Sequence, residues 1–169
     1  PAIPTNRRWR SCWIWGEAKE NETNTYRFFR KTFVLESLPS LLQLFVASDT
    51  RYQLYINGVF LGRGTPQCEP FFQYYDTHDV SSIVQAGTNC VAVLVSHVGN
   101  QEGSCPGLLV EMEDGEGRMV LGSDQSWRTL PGVAWKAHTH ACRLNRWSPY
   151  QEFCDGRRIP AAWTKSLIC

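Results

Sequence analysis

The amino-acid sequence predicts an all-β fold, an antiparallel jelly-roll β-sandwich. Segments with strand-like patterns recur at short spacing along the chain, and no amphipathic helix lies between them. Two turn sequences, Asn57-Gly58 and Asp114-Gly115-Glu116-Gly117, each separate two of these segments and predict hairpins. Many short strands joined by tight turns and a few longer polar loops are typical of two packed antiparallel sheets.

The first hairpin lies within residues 52–64, YQLYINGVFLGRG, and the Asn57-Gly58 loop sets its register. A type I′ turn needs a positive φ at both central residues, which Asn tolerates and Gly adopts freely. Pairing outward from this loop places Leu54 opposite Leu61. It also puts four aliphatic residues on one face, which we expect in the core. These residues are Leu54, Ile56, Val59 and Leu61.

Five further segments have the composition of strands. Residues 26–35 (YRFFRKTFVL) place Phe29, Phe33 and Leu35 on one face, as in a partly covered strand. Residues 41–47 (LLQLFVA) form an apolar run typical of a buried strand, and 90–98, 108–113 and 119–122 complete the set. We expect residues 64–75 and 98–107, which are rich in Gly, Pro and polar side chains, to form long loops.

Length and charge narrow the class of protein. We expect one domain over residues 1–169, because a chain of this size can bury a sizeable core without disulfides or metals. The 17 Lys and Arg residues are scattered and nearly balanced by 16 Asp and Glu, which argues against a nucleic-acid partner. No apolar run approaches 18 residues, so no membrane segment is predicted.

The seven cysteines are an odd number and include no Cys-x-x-Cys pair, which argues against zinc-knuckle and thioredoxin-like sites. A chain that needs no disulfides is expected to carry free, mostly buried thiols, as in a reducing compartment. An oxidised framework for some of the cysteines stays open. This pattern favours a cytoplasmic location, with a secreted location as the alternative.

Seven motifs occur in an order that resembles a known family. They are FFRKTF (28–33), SDTRYQLYINGVFLGRG (48–64), YYDTHDV (74–80), GTNCVAVLV (87–95), GLLVEM (107–112), SDQSW (123–127) and EFCDGRRIPAAW (152–163). Together they resemble the N-terminal β-sandwich domain of bacterial α-L-rhamnosidases, a jelly roll of the galactose-binding-like type. The resemblance runs from about Trp13 to Trp163, which we take as the core of the domain.

The resemblance implies a role without catalysis by this chain. In that family the hydrolytic carboxylates lie on a separate helical barrel, and the sandwich assists carbohydrate recognition or braces the barrel. The implied partners are a rhamnose-containing glycan or glycoside and a downstream catalytic domain of the parent chain. Two alternatives stay open: a free-standing carbohydrate-binding, lectin-like module, and an interaction domain with no affinity for sugar.

Two groups of residues are candidates for binding. Arg63, Tyr74, Tyr75 and Asp76 combine a bidentate donor, a carboxylate and flat rings, the features that a polyhydroxylated sugar needs. The flanking Gly62 and Gly64 would leave room for a ligand to approach the backbone. Ordinary surface exposure of the arginine is the alternative.

A second group lies near the C-terminal end and suits a domain–domain contact. Its members are Glu152, Asp155, Arg157, Arg158 and Trp163. A solvated edge with internal ion pairs, which would contribute little to stability, explains the same charges equally well.

The carboxylates offer no convincing catalytic pair. Glycoside hydrolysis needs two carboxylates that flank one bond. Asp79 is better explained as the cap of a helical turn over residues 79–84, and Asp76 as a turn former. The remaining candidates by charge are Glu111, Glu152 and Asp155.

One spacing is typical of a metal site. His138, His140 and Cys142 alternate along the chain, so three ligands could share one face of a strand. An exposed edge strand with outward polar residues explains the spacing more simply, because three ligands on one strand rarely complete a zinc tetrahedron. We therefore expect no metal and no cofactor.

Overall fold

The computed structural model describes residues 7–17, 22–65, 72–99, 104–137, 139 and 152–165. Within these ranges nine strands form two antiparallel sheets that pack face to face. The strands are β1 (Thr25–Leu35), β2 (Leu42–Ser48), β3 (Arg51–Ile56), β4 (Val59–Gly64), β5 (Asp76–Asp79), β6 (Gly87–His97), β7 (Leu108–Asp114), β8 (Met119–Gly122) and β9 (Arg128–Pro131). The predicted all-β antiparallel sandwich is confirmed.

The five-stranded sheet has the order β4-β3-β6-β1-β9, and the four-stranded sheet has the order β5-β2-β7-β8. The core fills the space between them. Alternate residues of each strand point into this space, and its fully buried members include Phe29, Leu54 and Val93 from the first sheet. Leu44 and Met112 from the second sheet face them.

The Asn57-Gly58 turn adopts the predicted conformation, with φ of 51° and 84° at the two residues. Its asparagine also joins the turn to β6, since Asn57 Oδ1 accepts from the backbone N–H of Cys90 at 2.9 Å. Asn57 Nδ2 donates to Asn89 Oδ1 at 2.8 Å. The turn is therefore held by side-chain hydrogen bonds as well as by its own backbone preference.

The predicted register holds for the first two pairs of the hairpin and then fails. Tyr55 pairs with Phe60, but an irregularity between Leu54 and Tyr55 places Leu54 opposite Gly62 instead of Leu61. A β-bulge of this kind adds one residue to one strand and shifts the pairs beyond it. Val59, predicted in the core, is 50 % exposed; it lies next to the turn, at the first position of the edge strand β4.

Two short strands were not predicted. β5 contains Asp76, for which a turn was expected, and β9 consists of four exposed residues. Both are edge strands whose extended backbone is held by pairing, β5 with β2 and β9 with β1. Asp79 does cap the turn that follows β5, since its Oδ1 accepts from the backbone N–H of Ser81 at 3.0 Å.

The described cysteines carry free thiols, as predicted, but most of them are not buried. Only Cys90, on the central strand β6, is buried, whereas Cys12, Cys105 and Cys154 are exposed because they lie on connecting segments. The other three cysteines lie outside the described residues. Within the described chain no helix is long and apolar enough to span a membrane.

Candidate functional site

A cavity of about 630 Å³ opens on the outer face of the five-stranded sheet and continues around its β4 edge. It forms because side chains alternate between the two faces of the sheet along each strand. On β3 the buried Tyr52 and Leu54 point into the sandwich, so Arg51 and Gln53 point outward. Pairing then places Ser96 beside Arg51, and Leu94 and Arg63 on either side of Gln53. The floor of the cavity is therefore a polar patch built from neighbouring strands.

One wall of the cavity is formed around Tyr26 on β1, which pairs with Ser96. Burial raises the pKa of the Tyr26 hydroxyl, and the charge of Glu152 raises it further. A hydrogen bond with Ser96 and the charge of Arg51 oppose that shift. A phenol, a carboxylate and a guanidinium thus lie close enough to influence one another at this wall.

The edge of the cavity joins the two sheets through Tyr52, Asp76 and His78. The Tyr52 hydroxyl donates to Asp76 Oδ2 at 2.5 Å and lies 3.1 Å from His78 Nε2. Burial and the hydrogen bond to Asp76 raise the pKa of Tyr52, so the phenol keeps its proton. Burial lowers the pKa of His78, an effect that the charge of Asp76 partly offsets. The net effect on the pKa of His78 favours the neutral imidazole.

Gly64 makes this edge possible. A Cβ at Gly64 would lie 1.9 Å from Asp76 Oδ2 and 3.0 Å from the Tyr52 hydroxyl oxygen. The space that we expected a ligand to use at Gly64 is therefore occupied by the Asp76 side chain. Gly62 is less crowded, since a Cβ there would lie 3.6 Å from His78 Cε1.

The structure brings together two of the four residues predicted to contact sugar. Arg63 and Asp76 line the cavity, whereas Tyr74 is 62 % exposed and lies outside it. Tyr75 packs elsewhere, with its ring 5.6 Å from that of Trp9 and 6.2 Å from that of Phe45. Neighbouring residues in extended backbone point to opposite sides, so Tyr75 cannot accompany Asp76 into the cavity.

The C-terminal candidates divide among three places. Glu152 lines the cavity and accepts from Trp135 Nε1 at 2.5 Å. Trp163 packs on the outer face of the sheet, with its ring 4.7 Å from that of Phe28 and 5.2 Å from that of Tyr55. These two residues therefore belong to the fold of this domain, and they do not form one patch with the others.

Asp155 caps a short 3₁₀-helix, Gly156–Arg158, and binds the Arg157 side chain at 2.8 Å. The interaction lies at the surface: Arg157 is 89 % exposed, and Arg158 is exposed as well. An ion pair in this setting contributes little to stability. The two arginines and Asp155 are the part of the C-terminal group that a partner could reach.

Glu111, one of the candidate carboxylates, anchors the segment that precedes β1. Its side chain is fully buried and binds Arg7 Nη2 at 2.8 Å. It also accepts from the backbone N–H of Arg10 and, at 2.7 Å, from that of Ser11. Burial alone would raise the pKa of Glu111, but these hydrogen bonds outweigh it and hold the pKa below its usual value.

Among the residues that the structure describes, no group of three or more His, Cys, Asp or Glu side chains could hold a metal ion. The predicted candidates His138, His140 and Cys142 lie outside the described residues.

Sequence analysis did not single out several cavity residues, namely Tyr26, Arg51, Gln53, Ser96 and His78. The available signal was the alternation along β3, which separates the outward Arg51 and Gln53 from the buried Tyr52 and Leu54. The residues of β1 and β6 lie beside Arg51 and Gln53 because of the strand order in the sheet, and the alternation along a single strand does not reveal that order.

Comparisons with known proteins agree with the fold. The chain is 30 % identical to the GH78 family rhamnosidase of Bacillus sp. GL1, with a TM-score of 0.81 over 97 % of this chain and 18 % of that protein. The native α-L-rhamnosidase of Aspergillus terreus is 19 % identical, with a TM-score of 0.71 over 91 % of this chain and 19 % of the enzyme. No curated protein sequence matches the chain.

A lectin of Pleurotus ostreatus in its apo form shares the fold more distantly. It is 20 % identical, with a TM-score of 0.52 over 91 % of this chain and 44 % of the lectin. The likeness to the sandwich of the rhamnosidases is much closer, and the predicted resemblance is confirmed. The chain spans about a fifth of the length of the rhamnosidases that it matches.

Two antiparallel sheets with a polar cavity on an outer sheet face define an all-β sandwich domain, of a class found within glycoside hydrolases. The model of one domain family matches residues 3–101, more than half of the chain. The chain belongs to this family, that of the β-galactosidase second all-β domain.

Proposed function

We propose that this chain is a non-catalytic accessory domain of an α-L-rhamnosidase-like glycoside hydrolase. The observation that carries the proposal is the match to the Bacillus rhamnosidase, which covers 97 % of this chain but only 18 % of that protein. A domain that corresponds over nearly its whole length to a small part of an enzyme supports a role as one module of a larger protein. The hydrolytic groups would then lie elsewhere in the parent chain.

The positions of the carboxylates support the non-catalytic part of the proposal. A glycosidase needs an acid and a second carboxylate on either side of one glycosidic bond. Glu111 is buried against Arg7, Asp79 caps a turn, and Asp155 binds Arg157. Each of these three groups has a structural partner that explains its position.

We also propose that the domain contacts carbohydrate through the outer-face cavity. A volume of about 630 Å³ lies within the usual range of small-molecule sites. Arg63 offers hydrogen-bond donors, Asp76 offers acceptor oxygens, and Tyr26 contributes an aromatic wall. The ligand would be part of a rhamnose-containing glycan or glycoside. Affinity for a single sugar should be about millimolar, since an open site buries little area.

The exposed arginines near the C-terminal end are proposed to face the catalytic domain of the parent chain. Arg157 and Arg158 protrude from the 3₁₀-helix and lie outside the cavity. A charged, well-exposed surface suits the polar contacts that domains of one chain usually make. This second role would brace the parent enzyme without any sugar contact.

Two assays on the isolated domain test the proposal. It should not hydrolyse an aryl α-L-rhamnoside, and turnover that disappears when one carboxylate is replaced would contradict the non-catalytic role. Titration with L-rhamnose, followed by amide chemical shifts, should perturb residues around Arg63 and Asp76. Perturbations that cluster at residues 153–163 would contradict the proposed cavity, and their complete absence would leave only the bracing role.

A further inference from the structure

Some polar groups of the outer-face cavity have hydrogen-bond partners in the described part of the chain, and others do not. Both carboxylates have partners, since Asp76 accepts from Tyr52 and Glu152 accepts from Trp135. The guanidinium groups of Arg51 and Arg63 form no hydrogen bond or ion pair with any residue in the described ranges. The described part of the cavity therefore offers two charged donors that no described group engages, beside the lone pairs that the two carboxylates keep.

Two neutral side chains of the cavity have spare capacity as well. Gln53 accepts from the Tyr55 hydroxyl at 3.1 Å through Oε1, which leaves its amide nitrogen available to donate. Thr65 is only 3 % exposed, yet its Oγ1 has no hydrogen-bond partner within the described part of the chain. A buried hydroxyl without a partner is uncommon because it costs free energy.

Strand pairing fixes where the two arginines stand. Arg63 pairs directly with Gln53, and Arg51 lies two residues before Gln53 on the same outward face of β3. The two guanidinium groups are therefore diagonal neighbours on adjacent strands, within reach of a common ligand. Two guanidinium groups so arranged, neither of them bound by a carboxylate of the described ranges, can bind an anion beside Asp76 and Glu152, and a planar carboxylate suits guanidinium best.

We infer that the cavity prefers an acidic sugar, a glycuronate, to a neutral one. This inference rests on the proposed carbohydrate contact at the same site. The sugar carboxylate would accept from Arg51 and Arg63, while its hydroxyls would donate to the free lone pairs of Asp76 and Glu152. An acidic protein segment would satisfy the same arginines, but the concave shape and limited volume favour a small ligand.

Amide chemical-shift titrations of the folded domain test the preference. D-glucuronate and D-galacturonate are compared with D-glucose, D-galactose and acetate at low salt. Each uronate should bind about tenfold more tightly than its neutral counterpart, because charge-assisted hydrogen bonds are about twice as strong as neutral ones. Raising the ionic strength should reduce the difference, since the cavity is open to solvent.

Matched variants separate the site from general charge effects. Arg51→Gln and Arg63→Gln should each abolish the preference for uronate. Arg128→Gln is the control, because Arg128 is an exposed arginine on β9, at the opposite edge of the same sheet. The amide spectrum without ligand establishes that each variant is folded.

The possible outcomes are distinct. Equal affinity for uronate and neutral sugar would overturn the preference and leave the proposed carbohydrate contact standing. Unchanged uronate binding in both cavity variants would also overturn it. Acetate that binds as tightly as uronate would indicate a simple carboxylate site, such as one for an acidic protein segment, and contradict the sugar assignment. If none of the sugars changes the amide chemical shifts, the proposed carbohydrate contact is overturned as well.

Discussion

Tyr52 on β3 and Asp76 on β5 join the two sheets across the open edge of the sandwich, through a hydrogen bond of 2.5 Å. The two strands belong to different sheets, so no backbone ladder connects them. Gly64, without a Cβ, leaves the space that the Asp76 carboxylate occupies. This contact therefore shapes one end of the cavity and supports the sandwich.

Removal of the Tyr52 hydroxyl should destabilise the domain. Tyr52→Phe leaves the Asp76 carboxylate without its donor, and hydrogen bonds to charged groups contribute about 1.5–3 kcal/mol. We expect a loss of about 2 kcal/mol in the free energy of unfolding, measured by urea denaturation. Tyr55→Phe, which removes a less buried hydroxyl bound to Gln53, is the matched control and should change stability by less than about 0.5 kcal/mol. Equal effects of the two substitutions would contradict the role of Tyr52.

The Asn57-Gly58 turn provides a second test. Gly58 has a φ of 84°, where an L-residue with a Cβ is strained by about 1–2 kcal/mol. Gly58→Ala should therefore lower the free energy of unfolding by about that amount. Gly156→Ala is the control, since a Cβ there would meet nothing within 4 Å and the residue has no positive φ. A Gly58 variant as stable as the parent protein would show that the turn tolerates a Cβ.

Protonation of Glu111 should lower the stability of the domain at acid pH. The pKa of Glu111 is held below its usual value, so its contribution is complete above the pKa of an unfolded glutamate, about 4.3. The contribution is lost as the pH falls through the lower value of the folded state. The free energy of unfolding should thus decline more steeply below about pH 4.3 in the parent protein than in Glu111→Gln. Parallel pH profiles would contradict this linkage.

The same substitution has a predicted cost at neutral pH. Glu111→Gln removes one of the two carboxylates that bind the largely buried Arg7, since Glu113 Oε1 also lies 2.6 Å from Arg7 Nη2. Loss of a hydrogen bond between charged groups costs about 2 kcal/mol. Glu116→Gln removes a carboxylate that is 72 % exposed and pairs with Arg118. It should change the free energy of unfolding by less than about 0.5 kcal/mol. Urea denaturation at pH 7 measures both variants, and a Glu111→Gln protein of unchanged stability would contradict the anchoring role.

Trp163 should stabilise the isolated domain, although the sequence suggested that it faces another domain. Its ring packs on Phe28 and Tyr55, so Trp163→Ala should lower the free energy of unfolding by about 2 kcal/mol. Arg158→Ala, at an exposed position of the same segment, should have an effect below about 0.5 kcal/mol. If Trp163→Ala leaves the free energy of unfolding unchanged, the packing role is contradicted, and Trp163 again becomes a candidate for contact with a partner.

Sequence patterns predicted most of the fold because burial imposes alternation on long strands and tight turns demand particular residues. The buried positions of β1 and β3 and the Asn57-Gly58 turn follow directly from these constraints. β5 and β9 were missed because they are short, polar edge strands held by pairing with distant partners. The bulge that shifts Leu54 was missed for a similar reason, since turn chemistry fixes only the nearest pairs.

The candidate site was predicted only in part. Arg63 and Asp76 both line the cavity; the sequence drew attention to Arg63 through its flanking glycines at the end of the hairpin, and to Asp76 on the stretch that follows. Tyr75 was misplaced because adjacent residues of extended backbone face opposite sides. Glu152 was found but assigned to another surface, since the path of the C-terminal segment across the sheet depends on aromatic packing.

The length and content of the parent reading frame test the central claim most directly. If this chain is an accessory domain, we expect the frame also to encode a helical-barrel region with a pair of catalytic carboxylates, which is what the resemblance to the α-L-rhamnosidase family implies. The complete protein should then be about five times as long as this domain, since the domain covers 18 % of the Bacillus enzyme. A reading frame that encodes this sandwich alone would contradict the accessory role.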